Sequence, residues 1–388
     1  MKSKAKLVSV VISMVVVLSL LISCAPQPAA TEAPAPQQPA QPEATAAPAQ
    51  PEASAPTEAP AAPAAEGAKK IVIGLSNGYF GTDWRTQHLN AAQQVFDEAK
   101  AAGLIAQDSE LKIQNAGADT NQQIQQFRNM INEKVDVLMI NANSATALNE
   151  VIDEAKDAGI PVISFDQAVT NPYAYNVTVD HYAWGKRYAE WLAKALNGKG
   201  KVVTIDGLPG HPAAEARKKA AEDVFAQYPD IEILQQIYGM WDQSKAQAAT
   251  ADLLAAFPQI DGVFVEDSMA MGVMRAFQTA NRTVPTMTGE ATKGYLLMWK
   301  DELTKNPDFQ SFAQANPPGI SGSAMKIAIR VALGRKLKPQ PESTFYYPIS
   351  VTVDKTNIDQ VLEMLKDKPE TYFLDEWLTD EAADALFE

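Results

Sequence analysis

From residue 69 onward, short apolar runs alternate with longer stretches of helical spacing. Residues 70–75 (KIVIGL) stop at Ser76-Asn77-Gly78, which predicts a buried strand followed by a loop. Residues 84–102 follow with helical spacing and end at Gly103, a helix stop signal. Further strands are predicted at 111–115, at 135–140 (VDVLMI) and from Pro161 (PVISF), with helices at 120–131 and 145–158 between them. The cycle then restarts. Helices at 181–196, 212–227, 244–257 and 269–280 alternate with strands at 201–205 (KVVTI), 231–237, 262–265 and 284–288. Strands apolar on both faces, alternating with helices, predict parallel sheets of the α/β class. The two halves share a rhythm, so we expect two similar lobes with a cleft facing the C-terminal strand ends.

The first 68 residues obey a different rule. Lys2, Lys4 and Lys6 precede an apolar run at 7–22, the layout of an export signal. Leu21-Ile22-Ser23-Cys24 resembles a bacterial lipobox, which implies a signal peptide at 1–23 and a lipid on Cys24. Residues 24–68 read as a disordered linker. In 25–68, 29 of 44 residues are Pro or Ala and none is Lys, Arg, Ile, Leu, Val or aromatic. Such a segment buries too little apolar surface to offset its ordering entropy. Alternating Pro and Ala favour an extended spacer.

Charge and composition exclude several functions. The net charge of −14 argues against nucleic-acid binding, which needs a basic face. Cys24 is the only cysteine, which excludes an intrachain disulfide and a Cys-based zinc or iron–sulfur site. Three histidines, His88, His181 and His211, argue against a His-rich metal site. Neither a G-x-G-x-x-G after a strand, nor a phosphate-binding G-x-x-x-x-G-K-[ST], nor a G-x-S-x-G is present. No cofactor is expected.

The strand ends carry the chemistry. They bring Phe80 and Trp84, Asn141, Asp166 and Gln167, Arg217 on a predicted helix, Trp241, the pair Glu266 and Asp267, and Glu290. Vicinal hydroxyls donate to carboxylates and accept from Arg or amide N–H, and the C–H face of a sugar packs on aromatic rings. Each residue has a plainer explanation. Trp84 and Trp241 can be core aromatics, Asn141 and Asp166 helix caps, Arg217 a solvated cation, and Glu266-Asp267 a cap for the next helix. Their shared location at strand ends raises the joint case.

On these residues, the stretch from about 70 to 347 resembles the ribose-type periplasmic sugar-binding proteins, the substrate-binding components of ABC importers. The resemblance rests on IVIGLS with Trp84, Asn141 in MINANSA, Asp166 in PVISFDQ, Arg217 in GLPGHPAAEAR, Trp241, VFVEDSMAMGVMRAFQ and Glu290 in MTGE. It implies Gln314 as a hinge glutamine and leaves open which of Glu266 and Asp267 reaches the ligand. Gln167 stands where the family often has Arg; with Glu290 and the loop from Phe80 to Trp84, this argues that the ligand need not be ribose. The resemblance implies three crossings between lobes, near Val179-Asp180, near Gln314 and around Thr344. The N-terminal lobe is then 69–179 with 315–343, and the C-terminal lobe 180–314 with 344–388, ending in an extension with helices at 358–365 and 380–387. The implied function is capture of a sugar or polyol by closing lobes and delivery to a membrane permease. The protein is expected to be exported, monomeric, lipid-anchored on the outer face of the membrane or periplasmic, and without enzymatic activity. The alternatives are a nucleoside, cyclitol or furanose ligand serving a transporter or sensor, a DNA-binding regulator, and a carbohydrate-active enzyme using paired carboxylates.

Overall fold

The computed structural model describes residues 67–349 and 351–388. The signal-peptide, Cys24 and linker assignments fall outside them, apart from the last residues of the linker. The chain runs β1 (Val72–Asn77), α1 (Asp83–Ala101), β2 (Glu110–Asn115), α2 (Thr120–Asn132), β3 (Val137–Asn141), α3 (Asn149–Asp157), β4 (Val162–Asp166) and β5 (Tyr175–Thr178). It then enters α4 (His181–Ala195), β6 (Lys199–Asp206), α5 (Pro212–Phe225), β7 (Asp230–Tyr238), α6 (Gln243–Ala256), β8 (Gly262–Val265), α7 (Ala270–Thr279), β9 (Thr286–Glu290), α8 (Lys293–Lys305) and β10 (Ser311–Gln314). It closes with α9 (Ile320–Ala332), β11 (Thr344–Tyr346), β12 (Thr352–Val353), α10 (Ile358–Met364) and α11 (Asp380–Asp384).

Among the described residues the strands form two sheets, ordered β11-β5-β4-β3-β1-β2 and β12-β10-β9-β8-β6-β7. Pairing is parallel throughout except β10 with β12. Both sheets therefore repeat one order, and in each the order reverses beside the first strand of the lobe, where the C-terminal ends open a crevice. Apolar side chains pack on both faces of each sheet. Ile73, Leu75 and Met139 meet α1 and α9 on one face of the first sheet, and Leu138 and Ile140 meet α2 and α3 on the other. The second sheet packs on α6, α7, α8 and α10 on one side and on α4 and α5 on the other. This double cover is why the strands read as continuous apolar runs.

The boundaries differ from the sequence reading where backbone chemistry overrides pattern. The helix predicted at 145–158 starts at Asn149, because the Ser144 hydroxyl accepts from Thr146 and Ala147 N–H and the Ala145 carbonyl is taken by Thr170 N–H. The strand predicted at 284–288 is displaced to Thr286–Glu290; Pro285 brings no N–H to a ladder.

The chain passes between lobes after Val179, which is buried in the first core, into Asp180, whose side chain caps α4. It passes back between β10 and α9. The third passage comes later than the expected Thr344. β11 pairs with β5, Tyr347 N–H still donates to the Thr178 carbonyl, and the second sheet is reached only at Thr352. The end of the chain also departs from the expected C-terminal lobe. Trp377, Leu378, Leu386 and Phe387 pack in the first core, and Arg330 binds Asp380 and Asp384. Both ends of the folded part meet near the end of α9: Lys69 Nζ donates to the Ala332 carbonyl at 2.6 Å and Glu388 N–H to that of Lys336 at 3.0 Å.

α4 and α5 approach closely because position 185 is glycine. A Cβ there would lie 2.6 Å from the Arg217 carbonyl oxygen and 2.7 Å from its Cα, backbone atoms that cannot turn aside. Gly185→Ala is expected to cost about 1–3 kcal/mol by overpacking. Urea unfolding should show a lower midpoint at unchanged slope; an unchanged midpoint would mean that the two helices yield.

Candidate functional site

The crevice between the lobes holds a cavity of about 40 Å³ lined by Tyr79, Thr82, Trp84, Arg85, Asp166, Gln167 and Asn316 from the first lobe side and by Ala213, Arg217, Trp241, Asp267 and Ser268 from the second. The first group follows β1, ends β4 and belongs to the second passage between lobes. The second sits on α5 and follows β7 and β8. Thr82 caps α1 by accepting from Arg85 N–H, which fixes the start of the helix carrying Trp84 and Arg85. Asp166, Met240, Trp241 and Ser268 all have left-handed backbone (φ 62, 62, 52 and 64°). Non-glycine residues held there cost free energy that the surrounding fold must supply, and such strain clusters at binding sites.

Asp166 is buried. Its Oδ2 accepts from Gln167 Nε2 at 2.7 Å and Asn141 Nδ2 at 3.2 Å, and its Oδ1 from Asn316 Nδ2 at 3.1 Å. Burial alone would raise this carboxyl. The His181 imidazole, the Arg85 guanidinium and the Gln167 amide outweigh it and hold the group well below the usual carboxylate range. Asp166 is therefore an ionised acceptor.

Arg217 is also buried. Its guanidinium lies 4.0 Å above the Trp184 ring, Nη1 donates to Asp267 Oδ2 at 2.9 Å with Glu266 Oε2 at 3.5 Å, and Nη2 is 3.2 Å from His181 Nδ1. A guanidinium only donates, so His181 Nδ1 accepts and the imidazole proton sits on Nε2. That nitrogen lies 3.1 Å from the Asp166 carbonyl and donates to it. Burial, then the Arg217 charge, lower His181 to about 4, in keeping with a neutral ring. A chain of hydrogen bonds thus runs from Asp267 through Arg217 and His181 to the backbone of Asp166.

Two indoles complete the cavity. Trp84 stacks on His88 at 4.4 Å and donates from Nε1 to the Asn316 carbonyl at 2.6 Å. Trp241 lies against Gly207, a contact that a Cβ would abolish, and donates from Nε1 to Glu266 Oε2 at 3.0 Å. Around these rings, Arg85 Nη1, Arg217 Nε, Gln167 Oε1 and Asn316 Oδ1 are buried without a hydrogen-bond partner among the described residues. Buried polar atoms are normally paired, so these donors and acceptors are free for a ligand.

Of the residues read from sequence, the structure brings Trp84, Asp166, Gln167, Arg217, Trp241 and Asp267 to the cavity wall. It places the other five elsewhere. Phe80 is 53 % exposed beside Gly117. Asn141 stands behind Asp166, donating to its carboxylate and to the Phe165 carbonyl. Glu266 stands behind Trp241 and Arg217. Glu290 accepts from Thr292 Oγ1 at 3.3 Å and from the backbone of Ser268 and Ala270, behind the cavity wall and not on it. Gln314 donates to the Trp184 carbonyl at 2.8 Å and accepts from Arg187, tying β10 to α4. Sequence reasoning did not single out Tyr79, Thr82, Arg85, Ala213, Ser268 or Asn316. Arg85 carried a signal in standing next to Trp84; Asn316 carried none, because its place is fixed by the passage between lobes.

A sequence profile of the periplasmic binding protein domain matches residues 73–336. The xylitol-binding protein of Mycolicibacterium smegmatis is 29% identical over 262 residues, 66% of this chain and 72% of the relative. The crystal structure of an ABC transporter solute binding protein from Thermobispora bispora superposes with a TM-score of 0.72 at 28% identity, covering 81% of this chain and 94% of that one. A solute binding protein from Actinobacillus succinogenes with bound D-allose gives a TM-score of 0.63 at 26% identity, covering 75% and 100%.

Behind the cavity, burial and then the Asp267 charge push the Glu290 carboxyl up to about 8, from 4.5 when unfolded. The folded protein holds this proton more tightly, so the contribution is fully present below about pH 4.5 and is lost as pH rises through 8. Glu290→Gln is expected to flatten the fall in stability between pH 5 and 8, by on the order of a few kcal/mol over that window. Denaturant midpoints across that range test it; parallel pH profiles for the two proteins would place the Glu290 titration in the ordinary range.

Proposed function

This chain belongs to the periplasmic binding protein domain family, and from that premise we propose that it captures a small sugar or polyol between its lobes as the substrate-binding component of an ABC importer. One observation carries the reading. An ionised carboxylate, two guanidiniums with unpaired N–H, and two amides with unpaired oxygens converge from both lobes on a cavity between two indoles.

Hydroxyl groups meet each of these needs. Asp166 and Asp267 accept from them, while Arg85, Arg217 and the Gln167 and Asn316 amides complete their remaining bonds. Trp84 and Trp241 take the apolar C–H faces of the ring or chain. A ligand lacking one hydroxyl leaves a buried polar group unpaired and is rejected. Because the walls come from different lobes, the ligand favours the closed arrangement by its differential contacts with it. Family members are binding proteins, and no reaction on the ligand is invoked.

The same reading takes the protein to be exported, with the lipid on Cys24 and residues 25–68 spacing the lobes from the membrane, and to work as a monomer beside a membrane permease. The relatives' ligands, xylitol and D-allose, place a polyol and an aldohexose first among the probes.

A thermal-shift screen of the purified protein against aldopentoses, aldohexoses, polyols, cyclitols and nucleosides tests this reading. A ligand at a thousandfold excess over its Kd adds about 4 kcal/mol to the folded state, an easily seen rise. Asp166→Ala and Gln167→Ala are expected to remove or reduce the shift while the proteins still unfold cooperatively. No shift with any sugar or polyol, in folded protein freed of co-purified ligand, would overturn the sugar assignment; a shift with nucleosides alone would replace it.

A further inference from the structure

The segment after α10 touches both lobes within four residues. Tyr372 O accepts from Lys293 N–H at 3.1 Å, and Leu374 N–H donates to Ala291 O at 2.7 Å. Residues 372–374 therefore lie antiparallel along 291–293 of the second lobe, with Phe373 opposite Thr292. In such a pair the central residue turns its own N–H and C=O away from its partner strand. Here both are taken by the first lobe. Phe373 N–H donates to Gln87 Oε1 at 2.9 Å, and Gln87 Nε2 donates to Phe373 O at 3.0 Å. The Gln87 side chain, on α1, thus closes the pair as a third strand would.

The next residue is already fixed to the first lobe. Asp375 Oδ1 accepts from Gly319 N–H at 2.6 Å, and its Oδ2 accepts from Gln87 Nε2 at 3.0 Å and Trp377 Nε1 at 3.1 Å. Leu378 N–H then donates to Ser323 Oγ at 3.0 Å. No slack separates Leu374, anchored on the second lobe, from Asp375, anchored on the first. Glu370, Thr371 and Phe373 also wall a chamber of about 350 Å³ that shares Thr82, Trp241 and Ser268 with the ligand cavity. The segment therefore flanks the way into the site.

From this geometry we infer that residues 372–375 are a fourth connection between the lobes, latched by Gln87, that restrains opening of the cleft. The inference rests on the reading that the lobes close over a ligand, and it concerns the protein without one. Rotation of the second lobe away from α1 must break the Gln87–Phe373 pair or peel 372–374 from residues 291–293. Loss of two hydrogen bonds shifts an open-to-closed ratio by on the order of tenfold.

The test uses the full chain with Cys24→Ser, so that only introduced cysteines carry spin labels. Gln125→Cys on α2 and Ala248→Cys on α6 place one exposed label on each lobe. Double electron–electron resonance without ligand is expected to give longer and broader distances in Gln87→Ala than in the parent. Gln87→Glu keeps the size but sets a carboxylate against Phe373 O and Asp375, and is expected to open the cleft at neutral pH in the same way. Thermal unfolding of both variants separates a loss of stability from a change of opening. Distance distributions unchanged in both variants overturn the latch, whatever their stability. Because no sugar is used, that failure is distinct from failure of the ligand screen.

Discussion

A buried guanidinium must be matched on every side or the fold loses more than the burial gains. Arg217 meets most of this condition with the Trp184 ring on one face, Asp267 and Glu266 at one end and His181 at the other, and leaves its Nε–H for a ligand to match. The last contact has reach beyond the lobe that makes it. Because Arg217 can only donate, it fixes the tautomer of His181, and the remaining imidazole N–H is committed to the backbone of Asp166. Asp166 in turn orients Gln167 and Asn316. One charge on α5 therefore sets the direction of acceptors on the opposite lobe, and it reaches its place only because Gly185 lets α4 and α5 approach.

The remaining carboxylates of the second lobe follow from the same condition. Asp267 faces the cavity and pairs with Arg217. Glu266, one residue earlier, points behind the cavity wall, where burial pushes its carboxyl up, Arg217 offsets this only in part and Asp206 adds to it. It holds the Trp241 indole in place from behind. A protonated or weakly charged group suits that role, since it accepts from the indole without setting a second full negative charge beside Asp267.

The central strands, their helices and the repeated half were legible because burial on both faces writes itself as unbroken apolar runs. β5, β10, β11 and β12 were not, since none of them reads as an unbroken apolar run and each is held by pairing with a strand elsewhere in the chain. The site was legible to the same depth. The polar strand ends named the crevice, and Asp166, Gln167, Arg217, Trp241 and Asp267 line it. Sequence position alone does not say which way a strand-end side chain turns. Asn141, Glu266 and Glu290 share the chemistry of the cavity residues yet stand behind them; between Glu266 and Asp267 a single step along the chain separates the residue behind the wall from the one on it. Phe80 was misplaced for a different reason: its loop turns outward before α1 begins. The late third passage between lobes depends on β11 finding β5, a contact between residues far apart in the chain.

The positions of Lys69 and Glu388, tied to Ala332 at the end of α9 and to Lys336 just beyond it, have a mechanical corollary. The chain enters the described part at Lys69 on the first lobe, so a pull transmitted through Lys69 loads that lobe first and reaches the second only through the passages between them. The nearness of the two ends also makes the folded part a natural subject for circular permutation: a short linker from 388 to 69 would leave both sheets uncut, and new termini could be opened in a surface loop of the moving lobe.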